Sequence, residues 1–185
     1  MTVITAVPVL HVLHGLSTCW ATSIARWSTV WRRLRNGEIN LDAIDGGCLC
    51  GGVKFQITGP ISGPLNCHCS RCRKQHAAPF RSRIRVRIED FRWLQGEDLI
   101  KYYDTGNGYL RGFCRECGSP IVNRAGPNWE RAAQFPRALS EYGVPLAILD
   151  NPPVRPACHV FVGSKAPWFE ITDDLPQHAE YPPPR

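Results

Sequence analysis

The sequence contains no run approaching the ~18 consecutive apolar residues that a membrane-spanning helix needs, so no helical membrane span is expected. The apolar opening stretch has no basic residue before Arg26 and so lacks the charged start of a secretory signal. Acidic residues are missing from positions 1–37, which hold Arg26, Arg32, Arg33 and Arg35. With these four set aside, a chain of net charge +6 has a body of only +2. A broadly basic body of the kind that grips nucleic acid is absent, and no nucleic-acid partner is expected. G-x-S-x-G, a Walker phosphate loop and H-E-x-x-H are also absent, which removes the usual signatures of three large enzyme classes. No internal repeat is present beyond recurring cysteine pairs.

What the chain does have is cysteine. There are nine in 185 residues, and seven fall into tight groups: Cys48/Cys50, Cys67/Cys69/Cys72 and Cys114/Cys117. Cysteines two or three apart bridge each other only with strain, whereas they converge easily on one soft metal ion. The spacing therefore favours zinc over disulfides, and a reducing, cytoplasmic setting follows. Free buried cysteines acting as small hydrophobes are the alternative. Cys48 and Cys50 lie between glycine pairs that let the backbone turn to aim both thiols at one point. Gly118 stands just after Cys117, where a zinc knuckle needs its turn. Cys48, Cys50, Cys114 and Cys117 are thus read as a closed structural site of four thiolates. Such a site clips the start of the fold to a strand more than sixty residues later, coupling metal binding to folding.

Cys67, Cys69 and Cys72 are then one ligand short. Three protein ligands leave zinc an open position, the mark of a catalytic site that can present a thiolate to an electrophile. The competing arrangement closes the site with His68, His76, Cys158 or His159. His76 lies one helical turn beyond Cys72 if a helix begins at Ser70, and His159 reads better as a packed core histidine. Arg71, Arg73 and Lys74 could receive the carboxylates of a charged thiol, with solvated surface charge as the alternative.

Short strand candidates surround these groups. Val53–Ile57 alternates apolar and polar, and turn signals at Thr58-Gly59-Pro60 and Ser62-Gly63-Pro64 are expected to stop it. Arg81–Ile88 puts Ile84, Val86 and Ile88 on one face and arginines on the other, expected to be a solvated outer face, with anion binding as the alternative. Further strands are expected at 91–94, 100–103, 109–113, 119–123, 157–163 and 168–171, with a short helix between Glu130 and Tyr142 broken at Pro136. Asp173 and Asp174 read as surface carboxylates. Regularly spaced short strands argue for a mainly β architecture. Residues 1–44 form an N-terminal extension, disordered or helical, with Trp20, Trp27 and Trp31 at helical spacing and an isolated Cys19. It is expected to be an amphipathic appendage, a misassigned start or a transit peptide. The zinc-binding β domain is expected over residues 45–182.

These motifs carry a resemblance. Gly47-Cys48-Leu49-Cys50-Gly51, Cys67-His68-Cys69-Ser70-x-Cys72-Arg73-Lys74 and Gly112-Phe113-Cys114-x-x-Cys117-Gly118-Ser119-Pro120 occur in that order. Together with His159–Trp168 and Asp173-x-Leu175-Pro176 they resemble the glutathione-dependent formaldehyde-activating enzyme family, which includes centromere protein V. The resemblance implies an Mss4-like zinc-bound β-sheet fold with short helices, two zinc ions per chain, and the same division of cysteines. It also implies a carbon–sulfur lyase acting on glutathione and a small aldehyde, as an S-(hydroxymethyl)glutathione synthase does. The alternative is a non-enzymatic zinc module that binds protein or nucleic acid through the basic, Trp-containing N-terminus. A zinc-buffering or redox-sensing protein is a third reading.

Overall fold

The computed structural model describes residues 43–152 and 154–182. The readings made for the N-terminal extension, its tryptophan stripe and Cys19 fall on residues outside these.

The described chain is mainly β, as expected. A three-stranded antiparallel sheet is built from β1 (Ile44–Gly47), β2 (Lys54–Ile57) and β5 (Phe91–Gln95). Its core is aromatic: Phe55 stacks on Phe91 at 4.7 Å, and Trp93 meets both rings edge-on. The second sheet contains β3 (Ile61–Cys67), β4 (Arg81–Arg87), β6 (Ile100–Asp104), β7 (Tyr109–Cys114), β8 (Pro120–Ala125), β9 (Glu141–Pro145), β10 (His159–Val160) and β11 (Gln177–His178). Their spatial order is β11-β10-β3-β4-β9-β8-β7-β6. Only β10 pairs in parallel, with β3 on one side and β11 on the other.

Among the described residues one α-helix, α1 (Ser70–His76), follows β3 directly. Cys69 is its N-cap, accepting from the Cys72 amide at 3.4 Å, and Ala77 ends it in the left-handed region at φ 47°. β4 then returns antiparallel to β3, with Cys67 opposite Arg81. The central cysteine stretch is therefore held at the end of one strand and in the first turn of a short helix.

Three local expectations are corrected. Ser62-Gly63-Pro64 does not end a strand but lies inside β3. The chain absorbs Pro64 because the ladder to β4 is interrupted by a register shift between Ser62 and Leu65, so its missing amide breaks no bond. Residues 168–171 form a turn and irregular chain, not a strand. The 130–142 region has turns, a 3-10 helix at Pro136–Leu139, and then β9.

Candidate metal centres and the adjoining cavity

The first cysteine group is assembled by two turns from different sheets. Between β1 and β2, Gly51 takes φ +74° and its amide donates to the Cys48 carbonyl at 3.0 Å. Between β7 and β8, Gly118 takes φ +75° and donates to the Cys114 carbonyl at 2.8 Å. Positive φ is cheap only for glycine, which is why both turns need one at these places. The result brings Cys48, Cys50, Cys114 and Cys117 Sγ atoms within 4.8 Å of one another. Cys48 and Cys50 sulfurs lie 3.4 Å apart, and Cys50 and Cys114 sulfurs 3.9 Å. A tetrahedron with Zn–S bonds of about 2.3 Å has edges of about 3.8 Å, so the group fits a zinc ion. The Val53 amide donates to Cys48 Sγ at 3.2 Å. Hydrogen bonds from the Ser119 hydroxyl and amide hold the Cys117 thiol down at about 5. Both favour the thiolate form a metal requires.

The second group, Cys67, Cys69 and Cys72, likewise gathers its sulfurs within 4.8 Å. Cys67 and Cys72 are buried, while Cys69 is partly exposed. Hydrogen bonds from Cys67 and then Cys69 hold the Cys72 thiol far below its ordinary value, and the Arg81 and Arg111 charges pull the same way. Cys67 is pushed far up by the same contacts, Cys69 first. One negative charge is welcome in this cluster, but three adjacent thiolates require a cation among them. The donor set therefore fits a divalent soft metal.

None of the four candidate closing ligands joins this group among the described residues. His68 and His159 are committed to each other, with His68 Nε2 lying 2.7 Å from His159 Nδ1. His159 Nε2 in turn sits 3.1 Å from both oxygens of Asp173. A carboxylate only accepts, so His159 donates to Asp173 from Nε2 and accepts from His68 at Nδ1. Burial lowers His68 to about 4, which keeps it neutral in this chain. His159 is thus the hydrogen-bonded core histidine expected, and Asp173, exposed as the surface carboxylate expected, also anchors the pair through both its oxygens. Cys158 packs beside the cluster of Leu65, Cys67, Cys72 and Val160.

The three-thiol group opens onto a cavity of about 380 Å³. Its lining is aromatic, with Tyr109, Trp129, Phe135, Tyr142, Phe161 and Tyr181, and basic, with Arg71, Arg81, Arg83, Arg85, Arg111 and Arg131 against a single carboxylate, Glu141. Arg81, Arg83 and Arg111 are buried, at 4%, 7% and 9% exposure. Arg81, Arg83 and Arg85 of β4 therefore line a cavity, not the solvated outer face expected from the sequence, which holds only at the strand's end, where Arg87 is exposed. Ile84 and Val86 lie fully buried on the strand's opposite face. Arg81 Nη2 donates to the Gly143 carbonyl at 2.6 Å, and Arg111 donates to Gln75 of α1. Of the three basic residues proposed from the motif, Arg71 lines the cavity. Arg73 turns instead to the His68 and Ser164 carbonyls, at 3.2 Å each, and exposed Lys74 is not among the cavity residues.

Comparison with known proteins bears on the same residues. The family model described as glutathione-dependent formaldehyde-activating enzyme matches residues 43–164, two thirds of the chain. The chain belongs to this family. A Halomonas elongata protein provisionally named a glutathione-dependent formaldehyde-activating enzyme is 26% identical over 135 residues, covering 69% of this chain and 80% of that protein. A crystal structure of a Rhodobacter sphaeroides protein is 26% identical with a TM-score of 0.44, covering 58% of this chain and 88% of the other. Within this glutathione-dependent formaldehyde-activating family member, the matched segment holds both cysteine groups and every cavity arginine. It stops before Asp173 and Tyr181, so the anchor of the imidazole pair and part of the aromatic lining come from the segment after it. Among the described residues no helix is long and apolar enough to cross a membrane.

Proposed function

We propose that this chain is a zinc-dependent carbon–sulfur lyase that joins a thiol of the glutathione class to a small aldehyde, as an S-(hydroxymethyl)glutathione synthase does. The observation that carries the reading is the three-thiol group, one ligand short, facing a basic and aromatic cavity. Cys67, Cys69 and Cys72 would hold the reactive zinc, and Cys48, Cys50, Cys114 and Cys117 a structural one. Zinc bound by three thiolates supplies Lewis acidity and lowers the proton affinity of a thiol at its remaining position.

The chain's own residues do the rest. Arg81 and Arg111 favour anionic sulfur at Cys72, which keeps the ligand set ready for metal. Exposed Arg71 and Arg131, with buried Arg83, form a basic surface that would receive the carboxylates of the thiol. Arg131 is steadied by its guanidinium lying 4.7 Å over the Phe135 ring. The aromatic lining covers the apolar stem of the substrate and narrows the water around the sulfur. In the addition, a C–S bond forms, the C=O π bond opens, and the thiol proton ends on the new hydroxyl. Free thiols and thiolate ligands persist in a reducing compartment, so the cytoplasm is the setting proposed.

Isotope-exchange NMR on formaldehyde, glutathione and their adduct tests the reading. Exchange is expected to be faster with the wild-type zinc protein than with buffer, and Cys69→Ser should return it to background. Equal rates with wild type and Cys69→Ser would contradict the proposal.

A further inference from the structure

The basic lining contains more positive charge than a thiol of the glutathione class and formaldehyde can use. Six guanidiniums line the cavity, and Glu141 satisfies one of them, binding Arg85 at 3.0 Å. Three thiolates on a divalent metal carry one net negative charge, which offsets a second. Four guanidiniums remain, while glutathione brings two carboxylates and an ammonium group.

Position within the cavity separates the six. Arg81 is the ladder partner of Cys67, and Arg111 donates to Gln75, three residues beyond Cys72 on α1. These two therefore stand at the reacting sulfurs. Both are buried, and the hydrogen-bond acceptors they have are neutral: the Gly143 carbonyl and the Gln75 amide oxygen. Arg81 Nε has no hydrogen-bond partner among the described residues. The single net negative charge of the thiolate–metal group offsets one of this pair, and the other buried guanidinium, left with neutral acceptors, is costly and gains most from a carboxylate. The carboxylates of a peptide thiol lie several bonds from its sulfur. Along β4 at about 3.3 Å per residue, Arg83 and Arg85 sit progressively further from the thiols, and Arg71 and Arg131 are exposed at the edge. With Arg85 held by Glu141, the thiol's own carboxylates belong with Arg83, Arg71 and Arg131. Formaldehyde, being neutral, leaves one of Arg81 and Arg111 without a counter-charge.

Resting on the proposed lyase reading, we infer that the carbonyl substrate is itself anionic: an aldehyde with a carboxylate on its carbonyl carbon, held by Arg81 and Arg111. Glyoxylate is the simplest member of this class. The step is the same addition. The thiol sulfur bonds to the carbonyl carbon, the π electrons move to oxygen, and the thiol proton ends on that oxygen. The carboxylate is unchanged, and nothing is oxidised or reduced.

Calorimetry on the zinc-loaded full chain tests this with two stable thioethers. S-(Carboxymethyl)glutathione mimics the adduct of the anionic aldehyde, and S-methylglutathione mimics that of formaldehyde. The carboxymethyl compound should bind roughly tenfold tighter or more, the scale of one charge-assisted bidentate pair. Arg111→Gln should shrink that ratio to about threefold or less, and Arg111→Lys should recover part of it. In exchange NMR, the ratio of kcat/KM for glyoxylate to that for formaldehyde should exceed about ten and fall in Arg111→Gln. Equal affinity for the two thioethers, or a ratio unmoved by Arg111→Gln, overturns the inference. If formaldehyde exchange is nonetheless accelerated, the lyase reading stands and only the anionic aldehyde is lost. If neither thioether binds and neither aldehyde exchanges faster, both fail.

Discussion

The two cysteine groups use the same ligand type for opposite ends. The four-thiol group is drawn from two glycine turns in two different sheets, and its geometry closes on itself. The three-thiol group comes from one continuous stretch, a strand end and the first helical turn, and one side faces a cavity. The first adds to the contacts between those sheets, such as the Phe91–Tyr142 ring pair at 5.1 Å. The second is held by elements already paired, since β3 is hydrogen-bonded to both β4 and β10. On the proposed reading, the folding load and the chemical opportunity would thus fall to different cysteine groups.

The sharpest way to break that division is Cys114→Ala. Structural zinc contributes on the order of 10 kcal/mol or more of apparent binding free energy in small domains, comparable to the whole stability of a typical domain. Loss of cooperative unfolding and of both metals is expected, read by circular dichroism and metal content. Cys69→Ser should behave differently. One metal should be lost, the thermal transition should move by only a few degrees, and thiol–aldehyde exchange should fall to background, at least a hundredfold below wild type. If Cys69→Ser unfolds the chain as Cys114→Ala does, the two centres are not distinct in role.

A smaller effect separates binding from stability in the cavity. Arg83→Met removes a buried guanidinium whose partner is the Gly63 carbonyl at 3.4 Å. Replacing a poorly compensated buried charge with an apolar side chain is often neutral or stabilising. The melting temperature should stay level or rise, while KM for glutathione rises about tenfold. A destabilised protein with unchanged KM would assign Arg83 to the fold rather than to the substrate.

The smallest effect concerns acid. Burial lowers His76 to about 4, below the ordinary 6.5. The unfolded chain then binds more protons between these values. The stability from a neutral His76 is fully present above about 6.5 and is lost as pH falls towards 4. His76→Leu should flatten the stability profile in that window by about 1–3 kcal/mol. Comparing urea unfolding at pH 7 and pH 5 for both proteins checks this. An unchanged slope would mean that thiolate protonation alone drives acid loss, placing the weakness at the metal centres.

The grouping of the cysteines into a four and a three was legible because metal-ligand spacing is local, set by a few residues and their glycine turns. The cavity was not, although its signal was present. Arg81, Arg83 and Arg85 alternate with Ile84 and Val86, a pattern that an exposed face and a cavity floor share. What decides between them is the neighbouring chain. β7, β8 and β9 continue the sheet beyond β4, and the aromatic residues of 129–135 and 181 cover it. β3 was misread for a related reason, since Pro64 signals a stop only where its amide would have been needed. The His68–His159–Asp173 chain joins residues more than ninety positions apart through a parallel strand pair. Nothing local in the sequence announces such a contact.

Metal release from the native chain tests the central claim most directly. Zinc is quantified per chain and then withdrawn by a colorimetric chelator, with and without glutathione. The account predicts two zinc ions released in two phases: a faster one whose rate glutathione changes, and a slow one that follows unfolding. A single zinc per chain, or two released together at a rate indifferent to glutathione, would contradict it.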